Sequence, residues 1–246
     1  MTNPGDTTTE NTATADHVAV VAALAEPTRR ALYEFTAAEG GWVSRDRAAD
    51  GVGLERGTAA HHLDRLVAAG LLEVDYQRLS DRTGPGAGRP AKLYRRAPDD
   101  FGVSLPPRDY ELAGQLMARA LEAARAEGGD VDAALESEAL AEGERFAEEM
   151  RRRLSGSGGT GQEARLRVAL EVLADHGYEP VQRDADTVVL RNCPFHRLSQ
   201  QHTELVCTMN AHLLRSAVTS FGGLGLAAAF EPEEQLCCVK LRRDRS

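Results

Sequence analysis

Four cysteines, Cys193, Cys207, Cys237 and Cys238, are confined to the last quarter of the 246-residue chain. Thiolates are ligands for soft metals and iron–sulfur clusters. The first two gaps hold 13 and 29 residues, unlike the tight Cys-x-x-Cys pairs of a zinc ribbon, so spacing alone does not signal zinc. Local placement says more. Pro194 fits the first position of a short helix, which predicts Cys193 as its N-cap. Thr203 fits the N-cap of a longer helix, which predicts Cys207 in the first turn. Both sulfurs would then meet a positive helix pole, which stabilises thiolates. Cys237 and Cys238 are neighbours in an expected strand, so their side chains take opposite faces. Cys237 shares the phase of Val239 and Leu241, and Cys238 that of Lys240. A regular strand therefore lets only one of them ligate easily. A fourth ligand is Cys238, His196, His202 or none. The plainer alternative is that all four are small buried hydrophobes.

A second set of residues suits nucleic acid. A helix is expected from about Glu55 to Ala69, closed by Gly70. Ala59, Leu63, Leu66 and Val67 share one side. Gly57, Thr58, His61 and Arg65 share the other, a polar stripe of the kind a recognition helix offers to a major groove. Arg56, in the first turn, is placed to reach a phosphate, and His62 lies between stripe and core. After this helix, Leu71–Leu79 and Ala91–Arg96 read as two strands around SDRTGPGAGRP, which is too rich in Gly and Pro for regular structure. Between Tyr76 and Arg96 stand Arg78, Arg82, Arg89, Lys92, Arg95 and Arg96 against Asp81 alone. Such a hairpin can follow a phosphate backbone or enter a minor groove.

The elements that must position these residues divide the chain. Residues 1–15 have almost nothing to bury and are expected to be disordered. Residues 16–98 carry short helices followed by the hairpin, the pattern of a winged helix-turn-helix. Pro27 opens a helix to Ala38, and Ser44 caps another from Arg45 to Asp50. Residues 107–154 hold two amphipathic helices, striped by Leu116, Met117, Ala120 and Leu121 and by Phe146, Met150 and Leu154. They are expected to hold a homodimer together. Ser155–Gly161 reads as a flexible linker. Residues 162–243 read as an α+β sensor domain. It has a helix from Glu163 with Leu166, Ala169, Leu170 and Leu173 inward, and a hairpin turned at residues 184–186. A long helix, Glu204–Phe221, carries Val206, Asn210, Leu213, Leu214, Ala217, Val218 and Phe221 on one face. Two last strands follow. The fold class is therefore α+β.

Composition narrows the function further. The chain has a net charge of -9, yet residues 26–97 carry +2 and residues 107–154 carry -5. An acidic chain with one basic segment suits a regulator that meets DNA at one place. The longest apolar stretch, Gly223–Phe230, cannot span a bilayer. The first sixteen residues lack both Lys or Arg and an apolar run, so no secretory signal is expected and a cytoplasmic protein is. No Cys-x-x-Cys redox pair, nucleophile elbow or phosphate-cradling glycine loop is found, so an enzyme is not expected.

The sequences Leu24-Ala-Glu-Pro-Thr-Arg-Arg30, Thr58-Ala-Ala-His-His-Leu-Asp-Arg-Leu66, Gly70-Leu-Leu and Gly88-Arg-Pro-Ala-Lys-Leu-Tyr94 resemble the ArsR-like winged-helix regulators. The branch containing the Suf-operon repressors (SufR-like) is the best match. The resemblance implies a dimeric regulator of a double-stranded DNA operator, with one recognition helix per subunit. The tail also resembles the cysteine-bearing sensor half of that branch. That likeness implies an iron–sulfur cluster held by Cys193, Cys207 and one of Cys237 and Cys238. Zinc is the alternative metal. A rival reading gives the last domain an organic effector and leaves the cysteines structural; another is a thiol enzyme fused to a DNA-binding head.

Overall fold

The computed structural model describes residues 18–77, 90–98 and 101–244. The expected disordered tail lies outside these residues, as does the wing tip with Arg78, Arg82 and Arg89. The chain forms two units, Met1–Val103 and Ser104–Ser246. No helix among the described residues is long and apolar enough to cross a membrane.

In the first unit, residues 18–23 are helical (α1). Helix α2, Pro27–Ala38, is capped by Glu26, whose carboxylate accepts from the Thr28 and Arg29 amides. Strand β1, Val43–Ser44, leads into α3, Arg45–Val52, where Ser44 accepts from the Arg47 amide as the N-cap. Helix α4, Arg56–Ala68, ends at Gly70, whose φ of 77° is the left-handed conformation that glycine adopts freely. Strands β2, Leu72–Gln77, and β3, Ala91–Arg96, pair antiparallel, and β1 joins them in the order β1-β3-β2. Leu32, Ala48, Ala59, Leu63, Leu66, Leu72 and Tyr94 form the centre of this unit's core.

The second unit starts with α5, Tyr110–Glu127, and α6, Val131–Ser157. Next come α7, Gln162–Asp175, β4, Pro180–Asp184, and β5, Thr187–Leu190. Helices α8, His196–Gln201, and α9, Thr203–Phe221, precede β6, Leu226–Phe230, and β7, Val239–Arg243. The strands form one antiparallel sheet, β4-β5-β7-β6, with α9 packed on β6 and β7. All seven residues expected on the inner face of α9 are buried.

Three expectations are corrected. The stripes of α5 and α6 do not belong to a separate segment. Leu116, Ala120, Phe146 and Met150 are buried in the same core as α7, α9 and the sheet, while Leu121 is exposed. The Ser155–Gly161 segment is not a free linker. Helix α6 runs on through Ser157, Gly158 caps it in a left-handed conformation, and α7 starts at Gln162 and packs back on α6. In the last turn of α6 the Ser155 and Ser157 hydroxyls donate to the Arg151 and Leu154 carbonyls. Finally, α7 is rotated. Val168 and Val172 are buried with Ala169 and Leu173, and Leu166 and Leu170 reach the core only in part.

Helices α6 and α9 cross closely at Gly143. A Cβ there would lie 2.2 Å from the Leu213 carbonyl oxygen. Beside it, the Ser216 hydroxyl donates to the Leu140 carbonyl at 2.7 Å.

Candidate functional site: recognition helix and thiol cluster

Helix α4 buries Ala59, Leu63 and Leu66 and leaves Gly57, Thr58, His61 and Arg65 exposed. The polar stripe read from the sequence is thus a continuous free surface of this unit. His62 sits at its edge, with Nδ1 buried, making no hydrogen bond and 3.6 Å from the Glu26 carboxylate. Arg56 is exposed and forms a 2.7 Å surface pair with Asp46.

Lys92, expected among the DNA contacts, is engaged within this unit. Its ammonium lies 2.6 Å from Asp64, and only 17% of the side chain is exposed. The same Asp64 oxygen accepts from the Tyr94 hydroxyl, which in turn accepts from Arg45 Nε. Burial pushes the Asp64 carboxyl up, but the hydrogen bonds from Lys92 and Tyr94 outweigh it and hold the group below its ordinary range. Lys92 therefore ties β3 to α4. The sequence held this signal as the acid on α4 opposite a lysine on the returning strand.

Residues 24–75 match the family described as a helix-turn-helix domain. The head is a DNA-binding helix-turn-helix domain. With β2 and β3 as its wing strands, the winged helix marks the chain as a DNA-binding regulator. No curated protein and no solved structure gives a significant match to the chain.

The second unit brings the four thiols together from three places. Cys193 is not a helix N-cap; α8 starts three residues later, at His196. Instead Cys193 lies in the turn before it, where its carbonyl accepts from His196 and its sulfur from the Phe195 amide. Cys207 is the fifth residue of α9, one residue deeper than expected, because the helix starts at Thr203. Cys237 and Cys238 precede β7 and are not part of the strand, so strand alternation does not exclude either. Cys193 is paired with Cys237, and Cys207 with Cys238, each thiol shifting the acidity of its partner. Across the pairs, negative charge on Cys238 would raise the Cys193 thiol, and negative charge on Cys193 would raise Cys207.

Their acidities differ accordingly. The Cys237 hydrogen bond lowers Cys193 against the effect of burial. The Cys207 hydrogen bond lowers Cys238 to about 7, and Cys238 alone of the four is partly exposed. The two donors, Cys207 and Cys237, are pushed up by those same hydrogen bonds and by burial. The expected stabilisation of Cys207 by a helix pole is thus overruled by its thiolate neighbour.

An ionic strap positions the cysteine pair. Glu233 binds Arg183 and Lys240, and Glu231 binds Arg242 and Lys240. These acids fold over Lys240 and bury it, contrary to its expected outward exposure. The Glu231 amide then donates to the Cys238 carbonyl, and the Cys237 amide to Leu190.

Among the described residues, no three His, Cys, Asp or Glu side chains converge as a single-metal site. His196 is exposed beside Gln200. His202 lines a separate groove of about 740 Å³ with Asp130, Asp132, Glu136, Glu204 and His212. Neither histidine is among the groups that perturb the thiols.

Proposed function

We propose that this regulator binds a double-stranded DNA operator as a homodimer and senses redox or iron–sulfur status through an iron–sulfur cluster at Cys193, Cys207, Cys237 and Cys238. The observation that carries the reading is the approach of four thiols from three separate segments as two neighbouring pairs. Two pairs suit a cluster in which each iron takes two protein sulfurs better than one tetrahedral ion such as zinc. Such a cluster, when bound, supplies sensitivity to oxidants and to iron supply. The chain's own residues provide two thiols of lowered pKa, two protonated neighbours, and a buried, mainly apolar surround that limits solvent access. In this reading Thr58, His61 and Arg65 read bases, and Arg56, Arg78, Arg82 and Arg89 bind phosphates. The test is anaerobic purification followed by iron, sulfide and zinc analysis and an absorption spectrum. Stoichiometric iron and sulfide support the reading; a colourless protein without either refutes it.

The groove of about 740 Å³ between the start of α6 and the start of α9 favours one second reading. It has the size of a small-molecule site, and its acidic rim suits an organic cation. In that case an amine changes DNA affinity while the four-serine variant responds as the wild type does.

A further inference from the structure

We propose that Arg108 and Asn192 are positioning residues that couple the Cys193–Cys237 thiol pair to the segment leading back to the DNA-binding head. This rests on the reading of the thiols as a sensing site. The segment enters the second unit directly on the cysteine turn. Asn192 Nδ2 donates to the Pro107 carbonyl at 2.8 Å and to the Gly177 carbonyl at 2.5 Å. Its Oδ1 accepts from Arg108, which also donates to the Cys193 carbonyl at 3.2 Å. The Asp109 amide, at the N-cap of α5, donates to the Pro194 carbonyl. At Gly177 an added Cβ would stand 3.1 Å from Pro107, so the segment lies flush against the turn.

On its other side, Asn192 reaches the thiols. Its amide donates to the Tyr178 carbonyl. The Tyr178 hydroxyl donates to Asn210 Oδ1 at 2.6 Å, and Asn210 Nδ2 donates to Cys237 Sγ at 3.3 Å. Tyr178, Asn192 and Asn210 are all at least 95% buried. Buried polar groups are costly unless satisfied, and a satisfied network admits one geometry where an apolar core would admit several. Any ligand on Cys193 or Cys237 changes the sulfur that Asn210 donates to and the turn that Arg108 holds. Both changes reach residues 107–109 within a few bonds.

The test is hydrogen exchange on the full-length chain, with and without mercuric ion as a thiol-specific probe. In the wild type, mercury should change exchange of the amides at residues 108–112 by about 3- to 10-fold, the scale of one lost hydrogen bond. In Arg108→Ala these amides should exchange faster from the start and respond no further, while mercury uptake stays equal to the wild type. Asn192→Asp keeps the shape, removes the amide donor, and should behave likewise. Unchanged wild-type exchange on mercury binding overturns the proposal, as does a full response in both variants. Iron and sulfide content reports separately on the cluster, so failure of that reading is distinguishable.

Discussion

Cys238 differs from its three companions, being partly exposed and having a pKa lowered to about 7 from an ordinary 9.0. In metal-free protein it should therefore be alkylated first by iodoacetamide, at a rate that rises through pH 7 and levels off above 8. Peptide mapping after brief labelling checks this, and equal labelling of Cys207 would contradict it. Cys193→Ser and Cys207→Ser should each abolish bound iron while leaving the helical circular dichroism intact. Cys237→Ser and Cys238→Ser should be comparably damaging, because the pair lies ahead of β7 and each thiol has its own partner. On α4, Thr58→Ala or His61→Ala should lower discrimination between operator and random DNA by about 1–3 kcal/mol in paired binding titrations. The residue types of both sites were legible in the sequence. The thiol pairings were not, because they depend on where a loop ends and a strand starts, and on which residues the flanking acids Glu231 and Glu233 bind, Arg183 on another strand among them. Asn210 did leave a trace, as an amide on an otherwise apolar helix face.

Elements were easiest to read where one residue's chemistry decides a boundary. Pro27, Ser44 and Gly70 each mark an end that the structure keeps within a residue or so. The segment after α6 was misread because composition rich in Gly and Ser also suits a tight turn between packed helices, and only tertiary contact separates the two. The α5 and α6 stripes are genuine, but the partner that buries them is α9 and the sheet. Gly143 makes this packing testable. Its nearest neighbour is main-chain oxygen, which has little room to yield, so Gly143→Ala should cost about 1–3 kcal/mol in urea unfolding followed by tryptophan-independent circular dichroism. An unchanged midpoint would mean that α6 and α9 are further apart. Acid acts on different elements. Glu26, through its hydrogen bonds to the α2 amides, and Glu233, through Arg183 and Lys240, have pKa values lowered to about 2. Their stabilisation is complete above the unfolded value of 4.5 and is lost as the pH falls from there toward 2. Glu26→Gln and Glu233→Gln should each flatten the acid limb of a stability–pH curve in that window.

For the whole molecule, dimerisation no longer follows from the two stripes, since one subunit consumes them. Leu121, Val131 and Leu140 remain exposed on α5 and α6, and the proposed homodimer would bring two heads to one operator. Light scattering should give twice the chain mass at micromolar concentration, and Leu121→Glu should reduce it; a wild-type monomer would exclude the dimer. The head's ion pairs bear on how such a protein finds its site. Among the described residues, Arg47, Arg56, Lys92 and Arg95 each lie against an acid, namely Glu39, Asp46, Asp64 and Glu73. A cation already paired with an acid displaces fewer counterions when it meets a phosphate, so these four add less to sequence-independent, salt-sensitive binding than their number suggests. Chromosomal DNA offers an immense excess of wrong sites, and a head that grips them weakly leaves each one quickly. Residence at the right site then rests on the few side chains that touch bases. The four paired charges thus work toward short stays at wrong sites, and leave the hold at the right one to fewer side chains.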